Sequence, residues 1–83
     1  MTSQAVETLT QQVTDLLHTH HDIPKEYITL DSQFIADFGF DSLDKVEFMM
    51  TVEEEFDIAV PDEEAEKITT VRQAVQAIHK LIS

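Results

Sequence analysis

Apolar residues recur along the chain with a helical rhythm that is interrupted once. Val6, Leu9, Val13, Leu16 and Leu17 stand at i, i+3, i+7, i+10 and i+11, which is one face of a helix. Ser3 is the expected N-cap, Glu7 sits near the positive end, and Pro24 blocks continuation. The first helix is therefore predicted over about residues 3–20.

Residues 21–41 follow no single period, yet Ile23, Tyr27, Ile28, Leu30, Phe34, Ile35 and Phe38 are too apolar for a solvated linker. A loop of about twenty residues in a compact domain needs a reason. Here the reason is a crossing of the bundle that drops these side chains into the core. Asp31 or Ser32 is placed to cap a single helical turn through Phe34 and Ile35.

Gly39 breaks the chain again, and Asp41 or Ser42 opens a second helix predicted over 42–56. The run from Pro61 to Ile68 predicts a short third helix over 62–67, with acids at its start and Lys67 in its last turn. Thr70 and Gln73 form a capping box for a fourth helix over 70–82, whose apolar face is Val71, Ala74, Val75, Ile78, Leu81 and Ile82. The expected fold is all-α: a small four-helix bundle with three longer helices, a short third helix and a long first loop, forming one domain over residues 1–83.

The second helix carries more apolar surface than one face needs. At about 100° per residue, Phe48, Met49, Val52 and Phe56 share one side, as a core stripe does. Leu43, Val46 and Met50 form a second stripe well over a quarter turn away, bordered by Glu47 and Glu54 on one side and Glu53 on the other. Two readings fit. Either the long loop wraps the helix and both stripes are core, or the second stripe is an exposed docking patch rimmed with carboxylates.

Charge changes that picture. Against 17 Asp+Glu stand five Lys+Arg, for a formal net charge of -12. Residues 41–66 hold 11 of the 17 acids and one base, Lys45. Such a surface repels nucleic acid and anionic membranes and favours encounter with basic protein surfaces. A solvated face that only keeps the protein soluble is the plainer alternative, but these acids surround apolar side chains. Zero Cys excludes a disulfide framework, a thiolate zinc site and a cysteine nucleophile. A chain of 83 residues buries only roughly 60% of its unfolded surface, which argues against a deep enclosed active site. No apolar run approaches about 20 residues and the N-terminus lacks a signal-peptide pattern, so a cytoplasmic protein without membrane insertion is expected.

Ser42 lies where the loop meets the second helix. With Asp41 available as the cap, its hydroxyl faces outward at a helix start, where open N–H groups and the positive dipole end favour a phosphate. It is well placed to carry a phosphodiester and poorly placed as a nucleophile. The four His residues (His18, His20, His21 and His79) lie in the first helix, its exit or the fourth helix, with no triad logic.

The run Asp41-Ser42-Leu43-Asp44, then Val46-Glu47, then Glu53-Glu54-Glu55-Phe56-Asp57, then Pro61 through Val71, resembles bacterial acyl carrier proteins of type II fatty acid synthesis. The resemblance covers the whole chain, is strongest from Phe38 to Val71, and is loose in the first helix. It implies a carrier and not a catalyst. Ser42 would receive 4′-phosphopantetheine from coenzyme A through a separate transferase, and the arm's thiol would hold acyl chains as thioesters. It further implies docking on basic surfaces of that transferase, of fatty acid synthesis enzymes and of acyltransferases through Asp41, Leu43, Asp44, Val46, Glu47, Met50, Glu53 and Glu54. Growing acyl chains would fold back into the bundle interior, here Phe34, Phe48, Val52, Phe56, Ile68 and Val75. The carrier is expected to be a monomer.

Two residues depart from the pattern. Lys45 replaces the small polar residue usual in the acidic helix and puts one positive charge beside Asp41, Asp44 and Glu47. Phe40 is bulkier than the residue common before the Asp; it is a lid near the arm or, the favoured reading, a plug into the core. These features leave open a specialised carrier for polyketide or modified-lipid synthesis. A peptidyl carrier fits less well because the paired Gly before the serine is missing. From another class, an acidic module holding divalent cations through Asp41, Glu53 and Asp57 remains a rival, without an EF-hand pattern. No metal site is expected at His18-Thr19-His20-His21, since only His18 and His21 share a helical face and the run reads as a solvated helix end.

Overall fold

The computed structural model describes residues 2–82, with side chains from residue 6 onward. It contains α1 (Thr2–His21), a 3₁₀ turn (Lys25–Tyr27), α2 (Ser42–Phe56), α3 (Asp62–Lys67) and α4 (Val71–Ile82). The protein is a small all-α bundle. The side chain of Ser3 lies outside the described residues, and its backbone is already helical, so α1 starts before the expected cap.

Four helix ends have a local chemical cause. At the end of α1, Asp22 takes a left-handed φ of 58° and the Ile23 N–H reaches back to the Leu17 carbonyl at 3.4 Å. The start of α2 is a reciprocal capping box. The Asp44 N–H donates to Asp41 Oδ1 at 2.8 Å, and the Asp41 N–H donates to Asp44 Oδ2 at 3.2 Å. α2 stops at Asp57, whose left-handed φ of 54° turns the chain. At α4, Thr70 Oγ1 accepts from the Gln73 N–H at 3.2 Å, while Gln73 Oε1 accepts from the Thr70 N–H at 3.1 Å. The Gln73 box is therefore formed, with Thr70 as the cap just outside the helix.

The long loop is stitched to the beginning of α4. The Val71 N–H donates to the Ser32 carbonyl at 3.0 Å and the Arg72 N–H to the Leu30 carbonyl at 2.8 Å. Loop carbonyls thus satisfy first-turn amides that have no partner within the helix. The Arg72 guanidinium also meets Asp31 at 3.1 Å. Ser32 is buried, with its hydroxyl accepting from the Thr29 N–H at 3.0 Å, so it ties the loop together and caps no helix. Asp37 does the work expected of Asp31 or Ser32. Its carboxylate accepts from the Gln33 N–H at 2.6 Å, closing a non-helical turn over 34–38. Gly39 ends that turn at φ 71°, a conformation that strains any residue with a Cβ.

The core gathers Leu9, Val13, Leu16 and Leu17 of α1, Phe48, Met49 and Val52 of α2, and Val71, Ala74, Val75 and Ile78 of α4. Phe34 and Phe40 enter from the loop, their rings stacked at 5.9 Å, and Phe40 sits 4.7 Å from the His21 ring. Phe40 is a core plug. The loop does not bury everything expected of it: Tyr27 and Ile35 stand 55% and 60% exposed. In the 34–38 turn, Phe34 and Ile35 are neighbours that face opposite ways, so only one of them reaches the interior. α1 packs more extensively on α4 than on α2, and α3 makes no extensive backbone contact with any helix.

Candidate functional site

Ser42 is the first residue of α2, is exposed, and directly follows the Asp41 cap. Asp41 engages the Asp44 amide and not the serine, so the Ser42 hydroxyl has no hydrogen-bond partner among the described residues. The capping box thereby holds the serine at the positive end of α2 while leaving its oxygen unbonded.

An open groove of about 570 Å³ begins at Ser42 and runs between α2 and α3. Val46, Met49 and Met50 form its α2 wall, Ala65 its α3 wall, and Val60 and Ile35 contribute from the loops. Met49 is only 6% exposed and is also part of the core, so it forms the floor between groove and interior. Phe34, Phe48, Val52 and Val75 are fully buried core residues, Ile68 is buried with 4% exposure, and Phe56 is half-buried. None of these six lines the groove.

The second stripe of α2 is exposed: Leu43 at 66%, Val46 at 54% and Met50 at 57%. Only the Phe48, Met49 and Val52 stripe is core. Asp41, Glu47 and Glu54 stand in solvent around the exposed stripe. Two further carboxylates are partly committed to the backbone. Asp44 serves the capping box, and Glu53 Oε2 accepts from the Val60 N–H at 2.8 Å, pinning the loop that leads into α3. That role of Glu53 is invisible to helical periodicity, because its partner lies seven residues on and beyond the helix end.

Lys45 departs from its expected surroundings. It makes no ion pair among the described residues; its ammonium donates to the Glu66 main-chain carbonyl at 3.4 Å, across the groove. The histidine run is split. His18 Nδ1 lies 3.0 Å from the Ile23 carbonyl, whereas His21 is half-buried against Phe40 and Phe48. His21 therefore packs against Phe40 and Phe48 and is not part of a solvated helix end. Among the described residues no group of three or more His, Cys, Asp and Glu is placed to hold a metal ion. No described helix is long and apolar enough to cross a membrane.

The described geometry thus puts a free, exposed hydroxyl at a helix start beside a largely apolar groove. The sequence pattern of one family, described as the phosphopantetheine attachment site, matches residues 7–78. The chain belongs to that family. It is a phosphopantetheine-carrying carrier protein and fits an acyl carrier protein. The family carries a 4′-phosphopantetheine prosthetic group, and its domains are typically non-enzymatic carriers that meet enzymes and acyl chains. Ser42 fits that group: it offers one exposed hydroxyl with no hydrogen-bond partner among the described residues.

Proposed function

We propose that Ser42 is the attachment point of 4′-phosphopantetheine and that residues 1–83 act as a single acyl-carrier domain for fatty acid synthesis in the cytoplasm. The observation that carries this reading is the Ser42 hydroxyl, exposed and unbonded at the first position of α2 and bordering the groove. When bound, the arm supplies a terminal thiol for thioester formation, which a Cys-free chain lacks. The polypeptide's own task is presentation. Asp41 and Asp44 fix the turn, Leu43, Val46 and Met50 offer an apolar contact, and Asp41, Glu47 and Glu54 attract basic enzymes. The transferase that installs the arm, fatty acid synthesis enzymes and acyltransferases are the proposed partners.

Magnitudes suit a shuttle. Exposed ion pairs contribute about 0–1 kcal/mol each, so docking is quickly reversed. Each buried methylene gains about 0.8 kcal/mol, so a chain lying in the α2–α3 groove is held against solvent without any specific bond. Met49 is the flexible floor through which a longer chain would reach the core positions Phe48, Val52 and Phe56. The Lys45 ammonium within the groove supports a second reading, a specialised carrier for polyketide or modified-lipid cargo bearing polar groups.

Mass spectrometry of the protein isolated from its own host separates these readings. Fatty acid synthesis predicts a phosphopantetheine adduct on Ser42 bearing saturated or β-oxygenated straight chains. An adduct bearing other oxygenated or branched chains supports the specialised carrier, and an unmodified Ser42 in every preparation contradicts both.

A further inference from the structure

Lys45 stands one helical turn after Ser42 and faces the same groove. Residues three apart on a helix have Cβ atoms about 5–6 Å from each other. Helical side chains also lean toward the N-terminus, so the stem of Lys45 is directed toward the serine side of its own turn. It is half-buried, and it is the one basic side chain lining the groove. Three carboxylates stand close to it in sequence, Asp41 in the cap and Asp44 and Glu47 in α2, yet among the described residues it pairs with none of them. Asp41 and Asp44 instead bond each other's backbone amides.

The bond that Lys45 does make crosses from α2 to α3. Glu66 lies in the last turn of α3, where carbonyls have no partner within the helix, so its oxygen is a ready acceptor. At 3.4 Å the contact is longer than the usual 2.7–3.2 Å of an N–H···O bond. It is nonetheless a tie on a helix that is otherwise loosely held, since α3 has six residues and no extensive backbone contact with its neighbours.

A phosphodiester on Ser42 changes the competition for this ammonium. It adds a negative charge beside Asp41, Asp44 and Glu47, in a segment whose only compensating cation is Lys45. The ammonium already makes its bond to the Glu66 carbonyl charge-assisted, but an anionic oxygen adds the attraction of a full opposite charge. Against a carbonyl contact stretched to 3.4 Å, that added attraction favours the phosphodiester.

On the reading that Ser42 carries the arm, we propose that Lys45 is a positioning residue with two partners. In the unmodified protein it straps α3 to α2 through the Glu66 carbonyl. Once the arm is attached it turns to the phosphodiester, orients the arm toward the groove, and releases α3 so that the groove widens. Attachment of the arm thus prepares the groove for cargo before any acyl chain arrives.

The experiment compares unmodified and arm-bearing protein for the wild type, Lys45→Met and Lys45→Arg, with peptide mass mapping of each sample. Lys45→Met keeps the aliphatic stem and removes the ammonium; Lys45→Arg keeps a cation. In the wild type, attaching the arm moves the Lys45 ¹⁵Nζ and Glu66 ¹³C′ resonances, and amide exchange over residues 65–68 rises several-fold. Lys45→Met shows the faster exchange before modification and no further rise after it, while Lys45→Arg responds in the same direction as the wild type. A mass gain on Ser42 with unmoved Lys45 and Glu66 signals overturns this proposal alone, as does a Met variant that responds like the wild type. No gain on Ser42 in the presence of coenzyme A and a competent transferase overturns the attachment reading, and this proposal with it.

Discussion

The two sides of the bundle are built to different standards. Where α1 meets α4, Val13, Leu17, Val71, Ala74, Val75 and Ile78 are at most 1% exposed. Where α2 meets α3, an open groove separates the helices, Leu43, Val46 and Met50 remain in solvent, and one stretched lysine contact crosses the gap. Stability is concentrated on the first side, and the second is left free to admit a guest and to touch partners. A domain of this size has little surplus, since small proteins are typically stable by only about 5–15 kcal/mol. Keeping the dense packing away from the working face lets that face change without unfolding the whole.

Truncations on the two sides are expected to differ most. Leu17→Ala removes a fully buried side chain from the α1–α4 seam and is expected to cost about 2–5 kcal/mol in urea unfolding. Leu43→Ala on the exposed stripe is expected to change stability by less than about 0.5 kcal/mol while weakening partner docking. Equal losses for the pair would erase the contrast. A smaller effect tests how the open side is held together. Glu53→Ala frees the Val60 amide and should cost about 1–2 kcal/mol, with faster amide exchange at residues 58–60; unaltered exchange there would show that the loop is held by other means. The smallest effect is electrostatic. Glu47→Gln should slow association with a basic partner enzyme severalfold at low ionic strength and by much less at high salt, while leaving unfolding unchanged. A salt-independent deficit would point to lost packing instead of lost attraction.

Most helix limits were readable from local chemistry. The structure places α2 at Ser42–Phe56 and α3 at Asp62–Lys67, where Asp41 and Pro61 stand one residue before the two starts; the left-handed turn at Asp57 that ends α2 is a feature of the structure. The Thr70–Gln73 box announces α4 in the same way, because its partners are three residues apart. Side-chain roles set by distant partners were not readable. Residues 21–41 are organised by bonds to the first turn of α4, about forty residues later, so no window of sequence shows that Ser32 serves a loop or that Ile35 points outward.

The site divides along the same line. The place of Ser42 follows from a cap one residue away and the separation of the two α2 stripes from helix phase, both local properties, whereas spacing alone leaves open whether the second stripe is buried or exposed. The groove depends on how α3 sits beside α2, and α3 is too short for periodicity to give it a face. Lys45 finds Glu66 at a separation of 21 residues, and Glu53 finds Val60 around a left-handed turn at Asp57. His21 lies against Phe40 because the loop returns beneath the end of α1. Each is a consequence of chain path, which composition and spacing do not encode.

The central claim is that the oxygen of Ser42 takes the arm. The most direct measurement is intact mass and peptide mapping of the unmodified protein after incubation with coenzyme A and a phosphopantetheinyl transferase, run beside Ser42→Ala. The account predicts one phosphopantetheine on the peptide containing Ser42 in the wild type and none in the variant, with both proteins equally folded. A wild type that stays unmodified beside a carrier that the same enzyme loads, or an alanine variant that gains the same mass, would contradict it.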